Sequence, residues 1–302
     1  MLSNKHLTNL VEGLGQYVPI GSLDEFTFES NPATFTPQKV NLWKELGISR
    51  VSLGIQSFDP HILSILGREH TPEEAKESVR MLQEAGIPQV NIDLMFSIPG
   101  QSLESWQETL RQALLLAPDH ISAYNLTYEE DTAFFESLQL GEWKQDEERD
   151  AQFFTLTHDT LTHAGMRHYE TSNFAKDDKI SLHNLGYWLG DDYIGIGPGA
   201  VSTIQGVRYQ NTSDTTEYIE STLRDGYPAS TQEIINDEDF RLERIALLLR
   251  TDVGLPLHYL PGSDRPALQQ IIDEQLGNIR QDKLFLSDKG RLLVDSIAQY
   301  LC

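Results

Sequence analysis

The chain has 302 residues, 39% of them apolar, and 46 acidic against 23 basic side chains give a formal net charge of -23. That length allows one large domain or two smaller ones with ample surface to bury. The charge argues against nucleic acid, whose phosphates need clustered Lys and Arg, and against an anionic membrane surface; its bland meaning is a solvated acidic exterior.

The one cysteine is Cys302, the last residue. Neither an intrachain disulfide nor a cysteine metal cage can be built from it. No apolar run approaches the ~18 residues of a membrane span. The opening "MLSNKHLTNLVEGL" reads as an amphipathic helix without the apolar core of a signal peptide, so the expected location is the cytoplasm.

That first helix leads into a strand, "EFTFES". The same order then recurs in "LWKELGISRVSLGIQSF", "LQEAGIPQVNIDLMFS", "LLLAPDHISAYNLTY" and "LTHAGMRHYETSNFA": a helix end, a stop, a β-rich run. The stops at Gly47, Gly86, Pro118 and Gly165 are 39, 32 and 47 residues apart, room for a helix, a strand and loops. In "TPEEAKESVRMLQEAG", Thr71 is the expected N-cap, Pro72 the first helical residue and Glu74 the partner of a capping box. Ala75, Val79 and Leu82 form its apolar stripe, and Gly86 ends it. Such alternation predicts an α/β fold with parallel strands and helical crossovers, as a barrel or an open sheet.

Each β-rich run ends in a polar group: Glu29, Gln56, Asp93, Asn125 and Glu170. Asp93 is the sharpest case, a carboxylate inside the apolar run "VNIDLMFSIPG". Burying it costs several kcal/mol, roughly, unless something pairs with it. In parallel α/β folds the carboxyl ends of strands line the ligand site, so these residues predict a binding site there.

Further on, "YIGIGPGAVS" is glycine-rich without the context of a dinucleotide fingerprint. The stretch "RDGYPASTQEIINDED" reads as a linker. Beyond it, "FRLERIALLLRT" and "RPALQQIIDEQL" are amphipathic helices, and "NIRQDKLFLSDKGRLLVDSIAQYL" is a short hairpin and a closing helix. The expected organisation is therefore a βα domain over 1–225 and a small winged-helix-like domain over 226–302. From Thr251 onward there are 5 Lys and Arg against 7 Asp and Glu, so that domain is expected to pack or to cover a substrate rather than to bind DNA.

The words "FESNP", "RVSLGIQSF", "ILGREHT", "NIDLMFSIPGQS", "YETSNFA", "HNLGYW", "YIGIGPGA" and "LSDKGRLLVDSI", in this order, resemble the radical S-adenosylmethionine (SAM) family of oxygen-independent coproporphyrinogen III oxidase and the heme chaperone HemW. The resemblance covers essentially the whole chain. It implies an incomplete parallel βα barrel of the radical SAM type, whose strand ends hold SAM. By position it implies SAM contacts from Glu29, Gln56, Arg68, Asp93, Tyr124, Thr127 and Val201. Arg68 would reach the methionine carboxylate, and Asp93 would accept hydrogen bonds from the ribose. The plainer alternatives are a surface Arg68 paired with Glu69 or Glu73, and an Asp93 satisfied by backbone N–H groups. Relatives often carry histidine where this chain has Val201.

The family also builds a [4Fe–4S] cluster on three cysteines, whose ligands are absent here. The expectation is that its first two βα units, with the cluster loop and a glycine-rich loop, are missing through a late start or a truncation. The edge and one face of the first strand would then be exposed. The chain alone is expected not to perform radical chemistry, and no catalytic or metal-binding residue is assigned to it. Within the family, "HNLGYW" matches the chaperone branch, which implies His183 as a heme ligand flanked by Tyr187 and Trp188; a structural histidine is the alternative. The implied partners are a tetrapyrrole, heme or a porphyrinogen, and a transient heme-acceptor protein. Two rival functions stand beside the chaperone: coproporphyrinogen III oxidase, inactive without the cluster loop, and an inert fragment.

Overall fold

The computed structural model describes residues 2–127 and 146–302, in two compact units, Met1–His183 and Asn184–Cys302. In the first, helix α1 (Asn4–Leu14) starts at Ser3, whose side chain accepts the His6 N–H, and buries Leu7 and Val11. Strand β1 (Thr27–Ser30), helix α2 (Pro37–Glu45) and strand β2 (Arg50–Gln56) follow. Helices α3 (Pro60–Ile65) and α4 (Pro72–Glu84) lead to β3 (Gln89–Phe96), and α5 (Leu103–Leu115) leads to β4 (His120–Asn125). Strands β1 to β4 pair in parallel, each with the next, as the helix–stop–strand order predicts.

The local signals hold. Thr71 Oγ1 accepts the Glu74 N–H at 3.2 Å and Glu74 Oε2 accepts the Thr71 N–H at 2.8 Å, the reciprocal capping box. Gly47, Gly86 and Gly165 stop their helices at φ of 87°, 74° and 85°, a conformation that costs a residue with a Cβ roughly 1–2 kcal/mol. At the fourth stop Ala117 adopts φ 51° just before Pro118.

After helix α6 (Glu147–His163), the segment expected to give one strand gives two. Strand β5 (Arg167–Glu170) turns back into β6 (Asn173–Ala175), and β6 runs antiparallel to both β5 and β4. The sheet order is β1-β2-β3-β4-β6-β5. β5 keeps the direction of β4, but β6 is inserted between them. The reason is the turn at Thr171 and Ser172, where the Glu170 carboxylate accepts the Ser172 N–H at 3.1 Å.

One face of this sheet carries the core. Val51, Leu53 and Ile55 of β2, Val90, Ile92, Leu94 and Phe96 of β3, and Ile121 and Ala123 of β4 pack on helical side chains that include Trp43, Val79, Leu82, Trp106, Leu110 and Phe153. Trp106 is fully buried, and its indole N–H donates to Thr157 Oγ1 at 2.9 Å.

The second unit begins within helix α7 (Leu182–Leu189). It contains an antiparallel sheet of β7 (Val201–Ile204), β8 (Val207–Asn211) and β9 (Ser230–Ile234), with helix α8 (Thr215–Asp225) before β9. The boundary expected at 225/226 falls inside this unit, and the expected linker contains β9. All five residues of β9 are exposed, so it has no apolar alternation to read; backbone pairing with β8 makes it a strand. Helix α9 (Asp237–Leu248), strand β10 (Leu255–Pro256), helix α10 (Arg265–Asp273), strands β11 (Gly277–Arg280) and β12 (Lys283–Leu286), and helices α11 (Asp288–Arg291) and α12 (Val294–Leu301) complete the chain. Their sheet, in the order β10-β12-β11, and their helices share a core of Ile245, Leu255, Ile271, Leu284, Ile297 and Leu301. This is the winged-helix-like arrangement of a hairpin and a closing helix.

Candidate functional site

Successive side chains of a strand point to opposite faces. With Val51, Leu53, Val90, Ile92 and Ile121 against the helices, the other face receives Arg50, Ser52, Asn91, Asp93, His120, Ser122 and Tyr124. The register aligns them in rows. Glu29 pairs with Ser52, Ser52 with Asn91 and Asn91 with His120; one row higher, Gly54 pairs with Asp93 and Asp93 with Ser122. A sheet apolar on one side thus carries no apolar side chain in these rows of the other.

Asp93 is satisfied by side chains, not by backbone N–H groups. Ser52 Oγ donates to its Oδ2 at 2.7 Å, Asn91 Nδ2 donates to its Oδ1 at 2.7 Å, and Ser122 adds a hydrogen bond. Burial still raises its carboxyl above the usual range against these donors, and the Glu29 charge pushes the same way. Tyr124 OH is pushed up to about 12 by burial and by the charge of Asp93, against a hydrogen bond with Ser122.

Gln56 ends β2 buried, with φ 67°, an uncommon conformation for a residue with a side chain and of a kind that clusters at functional sites. A Cβ on Gly54 would meet Gln56 Nε2 and Asn31 Oδ1, both at 3.0 Å, so glycine leaves the space these amides use. Asn31 Oδ1 also accepts from Arg68 Nη1 at 3.4 Å, which ties Arg68 to this corner. Glu29, Gln56, Asp93 and Tyr124 therefore share the polar face toward the carboxyl end of the sheet, and Arg68 stands beside them.

Thr127 is exposed just beyond β4. Val201 opens β7 in the second unit, where its carbonyl oxygen sits 2.2 Å from where a Cβ of Gly195 would be; that glycine serves the chain's own packing. His183 stands at the start of α7, at the other end of the sheet. Its N–H and that of Leu182 donate to Glu25 at 3.3 and 2.9 Å, and Glu25 pairs with the buried Arg50 at 3.1 Å. Burial works to raise the Glu25 carboxyl, but Arg50 and the N–H donors outweigh it and hold it below the usual range. Arg50 opens β2 and Gln56 closes it, a span of about 20 Å.

Strand ends alone miss the middle of the face: Ser52, Asn91, His120 and Ser122. The signal was present, since Arg50, Ser52 and Gly54, Asn91 and Asp93, and His120, Ser122 and Tyr124 recur at every second position. Arg50–Glu25 and the Tyr169 hydroxyl beside His120 join residues from distant segments, which no local pattern announces.

Residues 3–113 match the radical SAM superfamily. The chain is 30% identical over 307 residues to the heme chaperone HemW of Bacillus subtilis, covering 98% of this chain and 81% of that one. It is 38% identical over 200 residues to HemW of Escherichia coli, covering 66% of this chain and 52% of that protein. Among solved structures, coproporphyrinogen III oxidase (HemN) from Escherichia coli, a radical SAM enzyme, superposes with a TM-score of 0.82 at 19% identity, over 99% of this chain and 74% of that chain. The polar-faced parallel sheet is therefore the partial barrel of the radical SAM fold. Within that superfamily, the chain belongs to the HemW family.

Proposed function

We propose that this chain is a heme chaperone of the HemW type, taking up heme and passing it to a transient acceptor protein, with SAM held on the polar face of its sheet. Kinship to HemW along nearly the whole chain carries the reading. Convergence of Glu29, Gln56, Asp93, Tyr124 and Arg68 at one end of the sheet supports the SAM part of it. A cytoplasmic location belongs to the same reading. Among the described residues no helix is long and apolar enough to cross a membrane.

The residues fit SAM. Asp93 accepts three side-chain hydrogen bonds and a carboxylate offers about four sites, so one remains for a ribose hydroxyl. Gln56 can donate and accept at the same ligand, and Arg68 meets the methionine carboxylate in a charge-assisted pair. Tyr124 and Thr127, at the same end of the sheet, are the further contacts. When bound, SAM supplies an activated sulfonium. Donors to Asp93 favour its charged form, so SAM affinity should rise with pH through the raised Asp93 titration.

The residues do not fit an iron–sulfur cluster. Such a cluster needs thiolates, and the sole cysteine is exposed at the end of α12. Among the described residues no group of three or more His, Cys, Asp or Glu is arranged to hold a metal. No radical step is assigned to this chain.

In this reading His183 ligates the heme iron, with Tyr187 and Trp188 on the same helix beside the macrocycle. Heme titration tests it: a Soret shift in the wild type, lost in His183→Ala, is expected, and no heme binding by the wild type would refute it. Calorimetry tests the SAM site: Asp93→Ala and Arg68→Ala should each weaken binding about tenfold, on the scale of one charged hydrogen bond. Equal affinity in all three proteins would remove the assignment.

A further inference from the structure

The polar face contains a chain of hydrogen bonds whose direction can be worked out atom by atom. An ionised carboxylate only accepts, so the Asn91 atom 2.7 Å from Asp93 Oδ1 is the amide nitrogen. That leaves Asn91 Oδ1, an acceptor, facing His120 Nδ1 at 2.6 Å, so His120 carries its proton on Nδ1. His120 Nε2 must then accept, and its neighbour at 2.7 Å is the Tyr169 hydroxyl, which donates. The Tyr169 oxygen in turn accepts the Ser181 N–H at 3.3 Å. Every link points toward Asp93.

The surroundings keep the chain in this state. His120 is 1% exposed, and burial, with the positive Arg50 beside it, lowers its pKa to about 3, so the ring stays neutral. Asn91 and Tyr169 are also buried. The charge that acts on Asp93 from a neighbouring strand is Glu29 on β1, and Glu170 on β5 acts on the adjacent Tyr124; both are acidic.

The geometry points to His120 and Tyr169 as positioning residues: through Asn91 they fix which way the amide faces, and so hold the Asp93 carboxylate in the orientation and charge that receive a ligand. If Asn91 turned over, its oxygen would face the carboxylate and a donor would become a repulsion. His120, by donating to that oxygen, holds the amide against the turn, and the Tyr169 hydroxyl supplies the donor that the bare Nε2 of this tautomer needs. No proton moves along the chain.

The inference rests on the SAM reading only for the identity of the ligand, and the test separates the two. In the full chain labelled with 15N, His120 should show a protonated Nδ1 and a bare Nε2 at neutral pH; an Nε2–H tautomer or an imidazolium would overturn the proposal. In His120→Phe, the Asp93 carboxyl carbon should titrate at least about half a pH unit higher than in the wild type. In His120→Gln, whose amide can donate to Asn91 and accept from Tyr169, that midpoint should return toward the wild-type value. A merely structural role predicts no such rescue, and an unmoved midpoint in His120→Phe overturns the relay. Should His120→Phe not fold, the wild-type tautomer and the Gln variant still decide. With SAM as the probe, His120→Phe should lose about tenfold in affinity and lose nothing further in an Asp93→Asn background. An equal loss in that background overturns the proposal. If the wild type binds no SAM while the tautomer and the Asp93 midpoints come out as expected, the relay stands and the SAM reading fails.

Discussion

The two faces of the six-stranded sheet are built on opposite principles. The face toward the helices is held by volume: Val51, Ile92, Leu94 and Ile121 close on Trp43, Val79 and Trp106. The face away from them is held by direction: Ser52, Asn91, Asp93, His120 and Ser122 are linked by hydrogen bonds whose donors and acceptors must match. Apolar packing tolerates exchange of shape if volume is kept, whereas a buried polar network fails when one partner is lost. The same strands therefore stabilise the protein with one face and, in the proposed reading, offer a ligand site on the other.

The largest effect should come from the apolar face. Trp106→Ala removes a fully buried indole and leaves Thr157 without its donor, and should cost about 3–5 kcal/mol of stability in urea unfolding. A cost under about 1 kcal/mol would mean that this face is not the core. Acid should strike the polar face next. His120 titrates at about 3 in the fold but near 6.5 when unfolded, so its contribution is intact above pH 6.5. Stability is lost as pH falls from there, because only the unfolded chain takes up the proton, by roughly 1.4 kcal/mol per pH unit at most. His70, also lowered by burial, adds in the same direction. His120→Gln should flatten this slope in unfolding curves between pH 4 and 6.5.

Asp93 has the opposite sign. Its raised pKa means that the fold holds the proton more tightly than the unfolded chain does. Stability is therefore lost as pH rises from the unfolded value of 3.8 through the folded one. Asp93→Asn should remove that loss, leaving the protein at pH 7 no less stable while it binds SAM more weakly. A variant that is both less stable and unchanged in binding would erase the distinction between the faces. The smallest effect belongs to neither face: Thr71→Ala, which breaks the capping box of α4, should cost about 1 kcal/mol and leave ligand affinity unchanged.

How much could be read beforehand follows the reach of each signal. The capping box at Thr71 and Glu74, the stops at Gly47, Gly86 and Gly165, and the parallel order of β1 to β4 all rest on spacings of a few residues and were legible. Glu29 and Gln56 toward their strand ends, and Asp93 as a carboxylate inside β3, were legible too, because in parallel βα units the chain itself says which end is which. The insertion of β6 and the strand β9 were not. The first depends on a turn that reverses three residues against β4, and the second is an exposed strand whose only strand character is its pairing with β8.

The α/β class and the polar residues of the strands could be had from residue type and short-range order alone. It takes the assembled sheet to put Ser52, Asn91 and His120 in one row, to set His120 between Asn91 and Tyr169, and to anchor His183 through Glu25 and Arg50 at the end opposite Gln56. Those residues are tens of positions apart along the chain. Register and donor direction arise when strands meet, and no spacing within one strand encodes which atom of its neighbour it will face.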